Sequence, residues 1–372
     1  MPAYKAGGPI QSLDNMVKNF TSDEVIFYVF CSDKDMDGSL LNVGRNGWQQ
    51  YNYNTKVYYA TPDECQQNIL QKLLDQVQPD VVFINGIFSR YFSIAPLLAT
   101  TQAQKILSVR GMLHPGALSQ KGIKKKIFLT IFKLRSWHRL AEFHATTEEE
   151  AQFIGDQFGN KRKIWVVPNF PKLSGYQDPL EKEVGKLRLL SIALISPMKN
   201  IKLVIEALAR CKSHAVYDIY GPVKDEAYWE ECKVLMTGLP SNVEVNYKGA
   251  LEPKKVKETL SHYHVMVQPS KSENFGHSIF EALSAGMPVI TSWFTPWNDL
   301  QKNKAGYNVS IDNTVDLVKS IEELTDLDHY TYEHWTKQAY AYALDKVDIP
   351  SIKKGYENMF GIAEAVPAQT IK

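Results

Sequence analysis

The chain predicts two α/β domains, each a parallel sheet wound by helices on both faces. Three observations carry this. Short, uninterrupted apolar runs alternate with stretches of helical period, the pattern of strands buried on both faces. About five such strands lie on each side of one break. The break itself, Pro168–Gly185 (PNFPKLSGYQDPLEKEVG), is rich in Pro, Gly and charge and has no apolar period. At 372 residues the chain has the length of about two domains.

In order, the first series of strands is expected at Val25–Cys31, Lys56–Tyr59, Val81–Asn85, Ile106–Val109 and Ile164–Val167. The second runs through Leu187–Ala193, Ala215–Tyr220, Val243–Tyr247, His264–Gln268 and Val289–Thr291. Apolar residues at helical spacing place helices over Cys65–Val77, Thr147–Gln157, Ile201–Ala209 and Ser278–Ala285. The expected organisation is a first domain over 1–170, a hinge over 171–185, a second domain over 186–345 and a terminal helix over 346–372. Two doubly wound domains joined in this way put a ligand cleft at the carboxyl ends of their strands. Before the glycine loop Ala6-Gly7-Gly8-Pro9 there is no apolar run, so the usual first strand is expected to be absent or truncated.

Composition narrows the function classes. Lys and Arg number 42 against 41 Asp and Glu, so no global field favours nucleic acid or polyanions. Four cysteines, Cys31, Cys65, Cys211 and Cys232, are widely spaced, which argues against a disulfide framework and suits a reducing compartment. No apolar run approaches the ~18 residues of a spanning helix, and no leader pattern opens the chain. The expected location is cytoplasmic, peripheral to the inner face of the membrane. No G-x-G-x-x-G follows a strand, which disfavours a dehydrogenase.

The most informative segment is Ser270–Thr291, SKSENFGHSIFEALSAGMPVIT. It reads as strand, loop, helix, glycine stop, strand. A helix that starts after the loop Glu273-Asn274-Phe275-Gly276 and opens at His277 presents backbone N–H groups to an anion. Gly276 admits a phosphate close to the backbone. Glu273 stands in the loop and Glu281 about one turn into the helix, where carboxylates accept hydrogen bonds from paired hydroxyls of a sugar and a ribose.

This Glu-x7-Glu arrangement in ENFGHSIFEALSAGMPVI resembles the donor motif of the family-4 retaining glycosyltransferases, which have the GT-B fold. The resemblance extends along nearly the whole chain: AGGPIQSL, SVRGMLHPGAL, FHATTEEEAQFI, VVPNF, SPMKN, DIYGP and NYKGAL look like family segments, nearest to enzymes that build capsule, O-antigen or exopolysaccharide. It implies retaining sugar transfer from a nucleotide diphosphate donor, with neither metal nor cofactor; the expected acceptor is a glycan or a polyprenyl-linked molecule. It implies that Glu273 contacts the donor sugar and Glu281 the ribose, and that Lys199, Gly7 and Gly8 meet the diphosphate, Gly8 from the opposite domain. Tyr220 and Gly221 fall in a segment lining the donor. Arg110 stands where many relatives carry histidine, with His114 four residues on. Ala193-Leu194 replaces the usual Gly-Arg or Ser-Arg pair. Two alternatives accompany this reading: a nucleotide-sugar 2-epimerase and a non-catalytic sugar-nucleotide binder or assembly partner.

Two further stretches bear on function. Asp33-Lys34-Asp35-Met36-Asp37-Gly38 imitates the start of a calcium loop, but its twelfth position is Gly44, so a surface turn is expected. Lys121–Leu140 has seven Lys/Arg and no acid. Ile123, Ile127, Ile131 and Leu134 share one helical face there, widened by Phe128 and Phe132. That face is either a core stripe beneath a solvated basic surface or a helix lying on an anionic leaflet.

Overall fold

The structure is a computed structural model that describes residues 3, 5, 7–20, 25–45, 47–119, 122–159 and 161–362. In chain order its elements begin with α1 (Gly8–Asn19), β1 (Phe27–Ser32), β2 (Trp48–Asn52), β3 (Thr55–Ala60), α2 (Gln67–Val77), β4 (Val81–Asn85) and α3 (Ala95–Leu98). They continue with β5 (Gln104–Ser108), α4 (Pro115–Ser119), α5 (Gly122–Leu134), β6 (Glu142–Ala145), α6 (Glu148–Phe158) and β7 (Ile164–Val166). Then come β8 (Lys186–Ile192), α7 (Ile201–Leu208), β9 (His214–Tyr220), α8 (Glu226–Met236), β10 (Val243–Gly249), α9 (Val256–Leu260) and β11 (Val265–Gln268). The last are α10 (His277–Leu283), β12 (Val289–Ser292), β13 (Gly306–Val309), α11 (Val315–Thr325), α12 (His329–Lys346) and α13 (Ile349–Phe360).

The chain packs as two units. One, the six-stranded unit, gathers Met1–Asn15, Asp35–Ser39 and Pro171–Asp348; the other, the two-sheet unit, gathers Met16–Lys34, Leu40–Phe170 and Ile349–Lys372. The sheet of the six-stranded unit has the order β10-β9-β8-β11-β12-β13, all parallel. The order runs outward from β8 in one direction and resumes at β11 in the other, so the chain reverses between them. Both faces are covered. Leu203, Val204 and Leu208 of α7, Trp229 of α8 and Ile321 of α11 pack in one core. Leu260 of α9, Ile279 and Phe280 of α10, and Ala339 and Tyr342 of α12 pack in the other.

The segment after Phe170 has no regular structure as far as residue 183, yet it is bolted down. Gln177 N donates to Ala285 O at 3.0 Å and Tyr176 Oη bonds Thr336 Oγ1 at 3.0 Å. The buried Lys182 ammonium donates to the carbonyls of Glu183 and Thr325, both at 2.7 Å, and of Leu327 at 3.2 Å. It thereby caps the carboxyl end of α11 with positive charge.

The two-sheet unit differs from the single parallel sheet expected. It holds a three-stranded sheet, β1-β3-β2, and a four-stranded parallel sheet, β4-β5-β6-β7. Among the described residues no strand joins them. β2 runs antiparallel to β3, which corrects the all-parallel expectation: the Asn52–Thr55 turn is too short for a crossover. β2 (WQQYN), β6 (EFHA) and β13 (GYNV) escaped the sequence reading because each is short and lacks an apolar run. β6 is nevertheless interior. Its His144 is fully buried, bonded to Ser108 Oγ and to Val167 O at 2.8 and 2.9 Å, and burial, helped by the charge of Arg110, holds its imidazole down at about 3. Tyr356 and Phe360 of α13 pack in this unit against Phe20, Phe83 and Phe170. Residues 363–372 lie outside the described residues.

In the acidic loop, Asp33 accepts from Arg45 Nε at 2.9 Å, and Asp37 pairs with Lys5 at 2.6 Å and with Ser39 Oγ. Helix α5 turns Leu129 and Phe132 into the core, with Phe128 packed partly against it, while Ile123, Ile127, Ile131 and Leu134 stay exposed. Phe128 and Phe132 therefore do not widen the Ile stripe; they lie on the opposite side. Lys121 falls outside the described residues.

Candidate functional site

A parallel sheet presents the amino ends of its following helices at the carboxyl ends of its strands. Where the chain reverses, between β8 and β11, two such loops lie side by side. The loop after β8 carries Ala193–Asn200 and the loop after β11 carries Pro269–Gly276. Lys271 N donates to Met198 O at 2.8 Å and binds the two loops together. Across them Lys199 Nζ bonds Glu273 Oε1. The same carboxylate oxygen accepts from Ser270 Oγ at 2.8 Å and Gln268 Nε2 at 3.1 Å. Gln268 is itself fixed, since its Oε1 accepts from Ser278 Oγ at 3.2 Å. Glu273 N donates to Phe294 O at 3.0 Å. Glu273 is thus locked by three side chains and its own backbone, with little freedom left to lose on binding. Beside Lys199, the buried Asn200 heads α7 at φ 57°, and among the described residues its Nδ2 has no partner.

Gly276 heads α10 at φ 74°, and no side chain caps that end. A Cβ at Gly276 would sit 3.1 Å from Ile279 Cδ1 and 3.3 Å from Trp297 Nε1, so glycine is needed both for the turn and for the space. Phe275 stacks edge-on to Trp297, whose Nε1 donates to Phe275 O at 2.5 Å, fixing the loop as it enters the helix. Asn274, between Glu273 and Phe275, is part of the same loop.

Glu281 lies on the face of α10 that meets the start of the chain. It is 4% exposed, and its Oε1 accepts from Gln11 Nε2 at 2.6 Å and faces Lys172 Nζ at 3.7 Å. Burial pushes its carboxyl up to about 7, with Lys172 and Gln11 pulling the other way. His277 Nε2 meets Ser12 Oγ at 2.8 Å. Gly7 turns at φ 71°, and a Cβ there would lie 3.6 Å from Leu194; one at Gly8 would lie 3.7 Å from His277. The glycine loop therefore packs within the six-stranded unit, whereas the resemblance had brought Gly8 from the other domain. The hydrogen bonds of Gln11 and Ser12 are the reason.

Tyr220 ends β9, next to β8, and Gly221 follows it. Ala193 N donates to Tyr220 O at 2.9 Å. Gly221 has φ 135°, and a Cβ would fall 1.8 Å from Ala193 O, so the two strand ends touch backbone to backbone. Tyr220 Oη bonds Tyr263 Oη, which donates to the buried Asp218. The structure thus gathers Gly7, Gly8, Lys199, Tyr220, Gly221, Glu273, Asn274, Phe275, Gly276, His277 and Glu281 in one unit.

Arg110 belongs to the two-sheet unit. It sits at φ 52°, a strained value for a non-glycine residue. Its Nε and Nη2 donate to Asn85 Oδ1 at 3.0 and 2.9 Å and its Nη1 to Asn169 Oδ1. The turn is held from below by buried Glu150, which accepts from Gly111 N and from Thr146 N and Oγ1. His114 Nδ1 accepts from Gly116 N at 3.1 Å and its ring packs edge-on to Phe153, a capping and packing role.

Sequence reasoning missed Gln11, Ser12, Lys172, Gln268 and Ser270. Only Gln268 left a signal, as a polar residue ending the apolar strand HVMVQ.

Residues 176–342 match the profile of a family described as glycosyl transferases group 1. The UDP-N-acetylglucosamine–peptide N-acetylglucosaminyltransferase GtfA subunit of Streptococcus agalactiae is 27% identical over 154 residues, 40% of this chain and 29% of that protein. The sulfoquinovosyl transferase SQD2 of Arabidopsis thaliana is 26% identical over 152 residues, 40% of this chain and 27% of that protein. These matches span under a third of the curated relatives' length. Among solved structures, Anabaena Alr3699/HepE with UDP and glucose superposes with a TM-score of 0.69 at 15% identity, over 97% of this chain and 98% of that one. WaaG, a glycosyltransferase involved in lipopolysaccharide biosynthesis, gives 0.67 at 14%, over 96% and 97%. Sucrose-phosphate synthase from Thermosynechococcus elongatus gives 0.72 at 13%, over 96% and 94%.

Proposed function

We propose that this chain, which has the GT-B fold and whose residues 176–342 match the glycosyl transferases group 1 family, is a glycosyltransferase that moves a sugar, with retention, from a nucleotide diphosphate sugar to a lipid-linked glycan in capsule, O-antigen or exopolysaccharide synthesis. The observation that carries this reading is the meeting of Lys199 and Glu273 across the two loops at the reversal of the sheet.

In this reading the donor diphosphate lies against Lys199, the backbone at Phe275–His277, and Gly7 and Gly8. The orphaned Asn200 Nδ2 supports an anionic occupant, since a phosphate oxygen would satisfy it. Glu273 receives hydroxyls of the donor sugar and Glu281 those of the ribose, with Tyr220 and Gly221 flanking the nucleotide. The acceptor hydroxyl attacks the anomeric carbon on the face from which the diphosphate departs, and the leaving phosphate oxygen takes its proton. Lys199 stabilises the charge that develops there. Arg110, clamped by Asn85 and Asn169, orients a bound substrate. The complexes of HepE with UDP-glucose support a UDP-sugar as donor. The reaction requires no metal, which activity in excess chelator tests.

The decisive experiment is Glu273→Ala with donor-sugar consumption as readout. A loss well beyond tenfold is expected. Transfer surviving within about threefold, under ~1 kcal/mol of barrier, removes Glu273 from the donor role.

One observation favours a second reading, a sugar-nucleotide binder without turnover: uncharged Leu194 packs by Gly7 where relatives carry arginine. Calorimetric donor binding with no product on any acceptor separates the two.

A further inference from the structure

The two-sheet unit holds a surface that the donor site does not use. Residues 81–141 contain ten Lys/Arg and no Asp or Glu, leaving 32 cations against 41 acids in the rest of the chain. Most of these cations gather in and around α5. Its inward side is Leu129 and Phe132. Its outward side shows Ile123 (78% exposed), Ile127 (56%), Ile131 (45%) and Leu134 (80%). At about 100° per residue these four fall within a single arc opposite the core face. Lys126 and Lys133 border the arc on one edge, and Lys124 and Arg135 on the other; all four are exposed. An apolar stripe with cations along both margins is the arrangement of a helix that lies in the headgroup region of a bilayer, its apolar side down and its lysines at the phosphates.

A cavity of about 230 Å³ adjoins this helix. It is lined by His138, Arg139, Phe143, Phe158, Lys161 and Arg162. Its wall Phe158 packs on Phe132 of α5, with ring centroids 5.4 Å apart. Three cations line a space with no acid, beside a helix whose apolar residues face outward. That is a place for one phosphodiester headgroup.

We propose that the outward face of α5, together with this basic cavity, docks the protein on an anionic phospholipid surface. The charge complementarity selects the occupant. A second copy paired through the same face would bring cations against cations, and a neutral surface would leave Lys124, Lys126, Lys133, Arg135 and the cavity unanswered. Contact rests on two terms at once: apolar burial of the four aliphatic side chains, and attraction of the flanking cations to lipid phosphate.

The test is sedimentation of the full chain with vesicles of phosphatidylcholine alone or containing phosphatidylglycerol. Binding is expected only with phosphatidylglycerol, and to weaken as salt is raised. The triple variant Lys124→Gln, Lys126→Gln, Lys133→Gln should bind roughly a hundredfold less tightly, from about tenfold or somewhat less per cation at the surface. Ile127→Glu with Ile131→Glu should abolish binding, and Arg162→Gln should weaken it severalfold. All these positions are exposed or line the cavity rim, so unfolding curves should match the wild type. If the paired Glu variant fails to fold, Ile123→Ser, with a partial loss, takes its place. Four results would overturn the proposal: no vesicle binding by the wild type, equal binding to neutral vesicles, variants that bind as the wild type does, or inorganic phosphate that occupies the cavity while vesicles are ignored. Concentration-dependent dimerisation lost in Ile127→Glu, without vesicle binding, would reassign the face to self-association.

Discussion

Replacing Glu281 by glutamine should stabilise the protein and weaken its hold on a nucleotide. Glu281 is 4% exposed, and burial raises its carboxyl from 4.5 to about 7. The sign follows directly. Below pH 4.5 the group is protonated both folded and unfolded and costs nothing. Between 4.5 and 7 the folded state holds a proton that the unfolded chain has released, so stability falls as pH rises, and it levels off above 7. At ~1.4 kcal/mol per pH unit the accumulated penalty is about 3 kcal/mol. Glutamine keeps the shape and can still accept from Gln11 Nε2, while Lys172, 44% exposed, is left to water. Urea unfolding should therefore show Glu281→Gln more stable than the parent by about 3 kcal/mol at pH 8 and by under about 1 kcal/mol at pH 5. Calorimetry with UDP should show the opposite preference. The variant should lose about tenfold in affinity, the worth of one charge-assisted hydrogen bond, and the parent's affinity should rise with pH up to about 7. Equal stability of the two proteins at pH 8 would refute the burial argument. A stability gain with unchanged UDP affinity would refute the ribose role alone.

Two other perturbations test the frame that holds the site. Lys182→Met should destabilise the six-stranded unit by about 2–4 kcal/mol, because it leaves the carbonyls of Glu183, Thr325 and Leu327 without their shared donor; denaturant midpoints read this. Gly221→Ala should cost about 3 kcal/mol or more, since the added methyl meets Ala193 O at 1.8 Å and the φ of 135° is closed to alanine; poor recovery of folded protein with a lowered Tm is the expected result, and an unchanged Tm would contradict the backbone contact.

What the sequence disclosed and what it withheld divide along physical lines. The residues Glu273, Gly276 and Glu281 were legible because loop, glycine and helix follow one another within a dozen residues, so their spacing is local. Lys199 could be named, but its bond to Glu273 could not, since 74 positions separate them and only the reversal of strand order brings the loops together. Gln11 and Ser12 were invisible for the same reason. Strands β2, β6 and β13 escaped because their burial comes from neighbours and not from their own composition. Helix α5 is the clearest case. Its periodicity joins Ile123, Ile127, Ile131 and Leu134 with Phe128 and Phe132 into one widened apolar face, and periodicity alone cannot say which part of it meets the core. The larger aromatic side does, with Leu129, and the aliphatic stripe is left outside.

The bonds from Gln11 to Glu281 and from Ser12 to His277 have a practical consequence for anyone handling this protein. Through these two bonds α1 forms part of the surroundings of Glu281 and His277, so substitutions at Gln11 or Ser12 change the setting of that buried carboxylate directly. A fragment starting at the strap after Phe170 would leave Glu281 without its Gln11 bond.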